Sequence, residues 1–332
     1  MEIPRDGTVR LRNASISNAM RLPQRFFKLP VTFDADRLRA EVAELPPGAW
    51  VAHPTGEPGN SAVRLITVDG GDNDQMYGVM RMTRNLEGLA YVRQVLAGFG
   101  VAWGRSRFLR LAPGATVKMH SDIYHHWFYR TRMHIPITTR PQVRFTCDGE
   151  SVNMAAGECW IFDNWRQHAV ENPTDCHRVH LVADTSGTAA FWELVARGTK
   201  ADTGVEHRPY DPGARPELLT ERSFLRSVMS PEEMELLVMD TRSELTMEID
   251  TSEHRARLAS FHALLLGLAR DWRQLYLLHG EEIAGRKAFA ELRDRVRDRS
   301  RALAAGLIMR TNRVAAEKLL EARILRVCVS AE

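Results

Sequence analysis

The sequence predicts an α+β protein, an antiparallel β-sandwich or barrel with helices before it and a helical region after it. Three observations carry this reading. Between residues 100 and 184, short β-branched, aromatic and apolar segments follow one another between turn signals, the texture of a sandwich or barrel. After Asp184 the apolar residues recur at helical spacing. Between the two textures, residues 198–216 form a polar stretch with three prolines and three glycines, read as a linker. The predicted division is therefore 1–197 for the β-rich domain with its N-terminal arm and helices, 198–216 for the linker, and 217–332 for a helical domain. A chain of 332 residues has room for about two domains.

Taken in order, the first thirty residues read as a leader strand or arm ending at Leu29-Pro30. A helix is predicted over Asp34–Leu45, opened by an acidic cap and stopped by Pro46-Pro47-Gly48. Residues 56–74 are rich in Gly, Pro and Asn apart from one strand, Ala62–Val68. A second helix, Leu89–Phe99, stops at Gly100. The predicted strands are Arg107–Leu111, Thr116–His120, Arg130–Ile137, Gln142–Cys147, Ser151–Met154, Glu158–Phe162, Ala169–Glu171 and Arg178–Ala183. Pro113-Gly114, Asp148-Gly149, Ala156-Gly157 and Asn172-Pro173 break them. A helix follows at Thr188–Arg197. Ser230-Pro231-Glu232-Glu233 is a capping box with proline at the first helical position. Leu258, Phe261, Leu265, Leu268, Trp272 and Leu275 form one apolar stripe on a long helix ending near Gly280. A charged helix with Phe289, Leu292, Val296, Leu303 and Leu307 comes next. The stripe spans too few heptads for a coiled coil and suits packing in a bundle. It is expected to cover itself against the barrel and shape the substrate entrance, and it leaves room for a homodimer through the C-terminal helices.

Composition narrows the function. With 44% apolar and 26% charged residues the chain is not a disordered one. Forty-five basic and 42 acidic residues leave +3, so no field for nucleic acid is built in. The basic residues are almost all arginine, which suits buried carboxylate pairing, although a codon bias would give the same count. Four cysteines without a C-x-x-C pair read as free thiols of a reducing cytosol. No apolar core marks a signal peptide, and no run approaches the ~18 apolar residues of a membrane span. The expected location is cytoplasmic, with neither nucleic acid nor membrane as a partner.

Seven of the twelve histidines, His120, His125, His126, His134, His168, His177 and His180, crowd into the β-rich block, the first hint of a metal. His120-Ser121-Asp122 sharpens it. On an extended chain residues i and i+2 share a face, so one imidazole and one carboxylate can grip one ion. A second histidine completes a facial triad of two His and one carboxylate, with open positions on iron(II). His168, at the entrance to a strand, is the candidate, and Arg178 ten residues later offers a fork for a dicarboxylate cosubstrate. His125 and His126 read as a loop at the pocket mouth, beside the unassigned segments 50–85 and 123–130. Trp165 reads equally as a substrate wall or a core residue. His180 shares the strand face of Arg178. The spacings of Cys147, Cys159 and Cys176 match no zinc module.

The run Leu111-Ala112-Pro113-Gly114, His120-Ser121-Asp122, Arg132-Met133-His134, Ile161-Phe162-Asp163, His168, Arg178 and Asp184 resembles the aspartyl/asparaginyl β-hydroxylases in order and spacing, over roughly residues 100–190. The resemblance implies a double-stranded β-helix of the jelly-roll, cupin-like kind and an Fe(II)/2-oxoglutarate-dependent dioxygenase consuming O2. It implies His120, Asp122 and His168 as metal ligands and catalytic residues, and Arg178 as the partner of the 2-oxoglutarate C5 carboxylate. His134 would be a second cosubstrate contact, and Arg132 would bind cosubstrate or a substrate carboxylate. Animal members carry glycine where Asp122 stands; this chain keeps the carboxylate, as the similar bacterial proline hydroxylases do. The implied reaction is hydroxylation of an amino-acid side chain, at the β-carbon, in an Asp/Asn-type peptide or protein substrate, with a free amino acid as the alternative. Two other classes stay open: a non-oxygenase cupin binding zinc or nickel, and an interaction protein with an inert barrel.

Overall fold

Alternation of inward and outward side chains folds the middle of the chain into two facing sheets. In the computed structural model, which describes residues 20–198 and 204–330, the chain opens with β1 (Phe26–Phe33), α1 (Ala35–Ala43), β2 (Val51–Ala52), β3 (Asn60–Val68), β4 (Gly78–Met82), α2 (Arg84–Glu87) and α3 (Ala90–Ala97). The barrel continues with β5 (Ser106–Leu111), β6 (Thr116–His120), β7 (Thr131–Thr138), β8 (Arg144–Cys147), β9 (Glu150–Val152), β10 (Glu158–Phe162), β11 (His168–Glu171) and β12 (Arg178–Thr185), followed by α4 (Ala189–Ala196), β13 (Glu206–Arg208) and β14 (Arg222–Ser223). The larger sheet has the order β13-β1-β10-β7-β12-β5-β3-β4-β14, with β2 on β3, and the smaller the order β6-β11-β8-β9. Phe26, Leu111, Phe145, Trp160, Phe162 and Val170 from both sheets fill part of the space between them. This is the jelly-roll, cupin-like β-helix with flanking helices.

Local chemistry sets the details. Asp34 caps α1 by accepting the Arg37 N–H at 2.9 Å. Asp148-Gly149 closes the β8–β9 hairpin with positive φ at both residues, 48° and 77°, which a primed two-residue turn requires. Gly157 turns into β10 at φ +82°, where a Cβ would sit 2.4 Å from the Phe33 carbonyl oxygen. The predicted end of the arm at Leu29-Pro30 is instead the middle of β1. Its pairing with β10 slips between Leu29 and Thr32, which accommodates a proline that has no N–H to give. Residues 1–19 of the arm lie outside the described residues.

The outward faces of β7 and β12, with Ile135, Val179, Leu181 and Ala183, pack under Leu38, Val92, Leu96 and Phe191 of the helices as one core. The predicted linker is not free chain. Residues 199–203 lie outside the described residues, but β13 runs parallel to β1, and Thr220 and β14 lie against Trp103 and β4. The exposed edges of the larger sheet supply backbone partners that a polar composition does not announce. In the segment 50–85 the predicted strand Ala62–Val68 is β3, and two further strands that were not assigned, β2 and β4, pair with it.

Beyond it come α5 (Pro231–Glu244), β15 (Leu245–Met247), α6 (Ser252–His279), α7 (Arg286–Leu303), β16 (Leu307–Met309) and α8 (Ala316–Leu320). Ser230 accepts the Glu233 N–H, but the Glu233 side chain turns away to His125 and Tyr129, so the reciprocal half of the capping box is not made. The stripe faces inward: Phe261, Leu265, Leu268 and Trp272 are buried against Met234, Leu237, Phe289 and Leu292. Each such burial is worth about 1.5–3 kcal/mol. Leu307 lies in β16 rather than on the preceding helix, because α7 ends at Leu303 and the chain returns to pair with β15. Ile123, Phe128 and Trp165 of the barrel belong to this same second core. No helix among the described residues is long and apolar enough to cross a membrane.

Candidate active site

Pairing of β6 with β11 sets His168 directly opposite His120 on the smaller sheet. Their rings stand 4.2 Å apart, and Asp122 Oδ2 lies 4.0 Å from His168 Nε2. The donor atoms of His120, Asp122 and His168 all fall within 4.8 Å of one another, the one such group among the described residues. Backbone carbonyls orient both rings. His120 Nδ1–H donates to the Lys118 carbonyl at 2.7 Å, and His168 Nδ1–H to the Arg166 carbonyl at 2.9 Å. A carbonyl only accepts, so each ring donates through Nδ1, and Nε2 is the nitrogen left for the triad. Burial, with Asp122 opposing it and the charge of His120 adding to it, lowers the His168 pKa to about 4, so its lone pair is free near neutral pH.

The loop leading into His168 is fixed from outside the barrel. Asn312 Nδ2 donates to the Trp165 carbonyl at 3.0 Å, and Gln167 Nε2 donates to the Asn312 carbonyl at 3.0 Å. Trp165 is a core residue and no substrate wall: it is buried, with Arg323 over its ring at 4.2 Å.

Facing the triad, β12 turns Arg178, His180, Val182 and Asp184 to the interior. Neighbouring strands register with them: Leu111 with Arg178, Pro136 with His180, Arg107 and His134 with Val182, and Arg132 with Asp184. Arg178 and Asp184 thus mark rows about 20 Å apart at ~3.3 Å per residue. Arg178 is 4% exposed. Its Nη2 meets His180 Nδ1 at 2.8 Å, its Nε has no partner, and no carboxylate among the described residues pairs with it. Burial alone pulls its pKa down to about 9. His134 lies between the rows with both ring nitrogens buried and unpartnered, its pKa held well below 6.5 by burial and then by Arg178.

Arg132 reaches the same interior but is engaged. Its Nε and Nη2 clasp Asp184 at 2.7 and 3.0 Å, and it lies 4.6 Å over Trp127. His126 Nε2 donates to the other side of Asp184 at 3.1 Å. His125 bridges Tyr77 and Glu233 at 2.8 and 2.9 Å. These two histidines brace a buried 3-10 turn, His125–Phe128, and neither joins the triad. Cys147, Cys159, Cys176 and Cys328 are free thiols, and burial pushes that of Cys147 up to about 12.

Residues 75–187 match the family model of the aspartyl/asparaginyl β-hydroxylases, and the match encloses the triad, Arg132, His134 and Arg178. That segment is similar to the aspartyl/asparaginyl β-hydroxylases. The match to a hydroxylase family over the segment that holds the triad indicates an oxidoreductase. Solved structures similar to this chain include a 2OG-Fe(II) oxygenase family oxidoreductase from Burkholderia pseudomallei, 15% identical over 47% of this chain and 80% of that one, at a TM-score of 0.33. A prolyl-4-hydroxylase from Pseudomonas putida is 16% identical over 50% and 95%, at 0.34. A predicted oxalate decarboxylase from Thermotoga maritima is 14% identical over 43% and 94%, at 0.27. The comparison with curated proteins gave no match.

Sequence reasoning missed Arg105, which stands at the Asp184 row one residue before β5, and gave Arg107 no role. The signal was present as Arg105-x-Arg107, two like charges on one strand face. Asp74, which binds Arg64 and Arg107, came from a segment read as loop.

Proposed function

We propose that the protein hydroxylates the β-carbon of an amino-acid side chain, of Asp/Asn type in a peptide or protein, with iron(II) on His120, Asp122 and His168 and 2-oxoglutarate anchored by Arg178. One observation carries the reading: a buried guanidinium without a carboxylate lies on the inner face of the larger sheet, across the barrel from two histidines and an aspartate. A cupin that binds zinc or nickel without a dicarboxylate has no use for that unmatched charge, and neither has an inert barrel. The residues fit the absent groups on two counts. The donor set is two imidazoles and a carboxylate, suited to iron(II) with open positions, and the Arg178 Nε and both His134 nitrogens are buried polar atoms awaiting partners.

Iron(II), when bound, supplies the oxygen activation that hydroxylation of an unactivated C–H bond needs. The chain's own residues do the rest. The Lys118 and Arg166 carbonyls hold the two imidazoles as Nε2 donors. Arg178, steadied by His180, grips the far carboxylate of the cosubstrate through a charge-assisted pair, and His134 contributes a polar edge between that anchor and the triad. Phe145 and Phe162, packed around His134 and His168, keep the reacting end dry. Arg132 is reassigned: with Asp184 across its fork, it positions the substrate side of the pocket.

The test is anaerobic titration of the purified protein with Fe(II) and 2-oxoglutarate, followed by oxygen and a panel of Asp- and Asn-containing peptides and free amino acids, scored by succinate and by a 16 Da mass gain. Stoichiometric iron binding that needs His168, with 2-oxoglutarate binding that needs Arg178, supports the reading. Retention of both in the respective alanine variants refutes it.

A further inference from the structure

A cavity of about 270 Å³ opens where the β-rich domain meets the helical region. Tyr77, His125 and Tyr129 line it from the first, Phe224 from the segment that carries β14, and Glu233 from the first turn of α5. Neither the triad nor Arg132, His134 or Arg178 borders it. We infer that this cavity is a binding site for a primary ammonium group, with Glu233 as its counter-ion. The inference lies beyond the hydroxylase reading and does not rest on it.

Helix α5 on its own would use Glu233 otherwise. In a capping box the acid at this position folds back onto the N-cap N–H, whereas Glu233 extends away to His125 and Tyr129. Both bonds fall on Oε1, at 2.9 and 3.2 Å, and Oε2 takes none among the described residues. Burial works against the Glu233 charge, but the hydrogen bonds from His125 and Tyr129 outweigh it and hold the pKa below the usual 4.5. An ionised carboxylate only accepts, so His125 donates to it through Nε2 and spends Nδ1 on the Tyr77 hydroxyl at 2.8 Å. The cations around the cavity are engaged as well. Arg130 gives Nε to Glu221, Nη1 to the His126 carbonyl and Nη2 to Ser223. Arg226 pairs with Glu281 at 2.7 Å. Each of these cations has its own carboxylate, and the Glu233 charge is left over. Burial pushes the Tyr77 and Tyr129 phenols up, so both keep their protons, and each phenol oxygen retains a lone pair to give.

What faces a ligand is therefore an open carboxylate oxygen and two phenol oxygens, a set of acceptors. It matches an ammonium, whose three N–H groups only donate. A guanidinium fork calls for two free carboxylate oxygens, and an anion would meet like charge. Phe224 and Leu225, 65% and 38% exposed, offer an apolar surface to an alkyl stem.

Two sources carry this chemistry, the side chain of a lysyl residue in a peptide and a free aliphatic amine. Ser186, which also lines the cavity, lies four residues along the chain from Val182, whose row holds His134, a span of about 13 Å. A lysyl side chain here and a residue at the triad thus fit one extended peptide. The full chain, without metal or cosubstrate, is titrated calorimetrically with n-pentylammonium, n-pentanol, n-pentylguanidinium and capped lysine (acetylated and amidated). n-Pentylammonium is expected to saturate a single site, roughly ten- to a hundredfold tighter than n-pentanol, and to bind tighter than n-pentylguanidinium. Binding of capped lysine as well identifies the lysyl source, and binding of n-pentylammonium alone the free amine. Glu233→Gln keeps the shape and can still accept from His125, yet should erase the preference for the ammonium over the alcohol. Tyr77→Phe should weaken the ammonium several-fold, with far-UV circular dichroism unchanged. The inference is overturned if n-pentylammonium does not bind, if n-pentanol or n-pentylguanidinium binds equally well, if Glu233→Gln keeps the preference, or if Tyr77→Phe keeps the full affinity. Iron and 2-oxoglutarate play no part in this titration, so its failure leaves the hydroxylase reading standing.

Discussion

Replacing Arg178 with methionine removes a charge while keeping most of the side chain's length. The structure sets the size of the effect in both states of the pocket. Burial brings the pKa of this guanidinium from 12.5 to about 9. At ~1.4 kcal/mol per tenfold change in proton affinity, holding the charge in the empty pocket costs on the order of 5 kcal/mol. No carboxylate among the described residues offsets that cost, so Arg178→Met should melt at the same temperature as the parent or above it. With cosubstrate the balance inverts. Truncating one partner of a desolvated charge pair typically costs about 2–5 kcal/mol, a loss of roughly thirty- to several-thousand-fold in affinity. Calorimetric titration of the Mn(II)-loaded protein with 2-oxoglutarate measures this directly, and differential scanning of the empty protein supplies the other half. Unchanged 2-oxoglutarate affinity, or a melting temperature several degrees lower with the cosubstrate absent, would refute the reasoning.

Alanine at His120 or His168 should abolish iron binding and 2-oxoglutarate turnover with far-UV circular dichroism unchanged; Asp122→Ala should weaken metal binding less, since two histidines remain. His126 is buried with its pKa lowered to about 4, chiefly by burial. Because that value lies below the unfolded 6.5, its contribution is complete above pH 6.5 and is lost as pH falls through 6.5 toward 4, amounting to about 3 kcal/mol. Urea melts across that window should show a fall to which His168, His134 and His180 also contribute, and His126→Gln should lessen it by about that amount. Removing residues after 215 uncovers Ile123, Phe128 and Trp165, so the shortened chain should sediment with the insoluble fraction. Phe128→Ala in the full chain should cost about 3–5 kcal/mol by denaturant titration.

The barrel was legible because its strands are short, bounded by turn residues and alternating. Thr116–His120 and Glu158–Phe162 were read with the observed limits, and Asp148-Gly149 announced its hairpin. The triad was legible for the same reason, since an HxD pair needs only a strand's two-residue period to converge. The edge strands β13 and β14 were not, because they are polar and owe their pairing to a neighbour remote in sequence. Arg132 was read correctly as facing the interior, but its partner Asp184 lies 52 residues away, and nothing local told a free guanidinium from a bound one. Arg105 was lost because it lies just ahead of β5, whose start at Ser106 was read one residue late. Trp165 was ambiguous because a wall and a core look alike until the packing helices are present.

The pair of hydrogen bonds between Asn312 and the Trp165–Gln167 loop ties the aim of His168 to the folding of the far end of the chain. Metal affinity then becomes a gauge of how well the C-terminal region is docked. A lesion that loosens that region by a few kcal/mol would register as leakage of the ion before any cooperative melting, and a small molecule that tightens it would retain the ion. Strain in the helices and chemistry in the barrel would thus share one dial, even though no residue beyond Arg178 is expected to touch cosubstrate or metal.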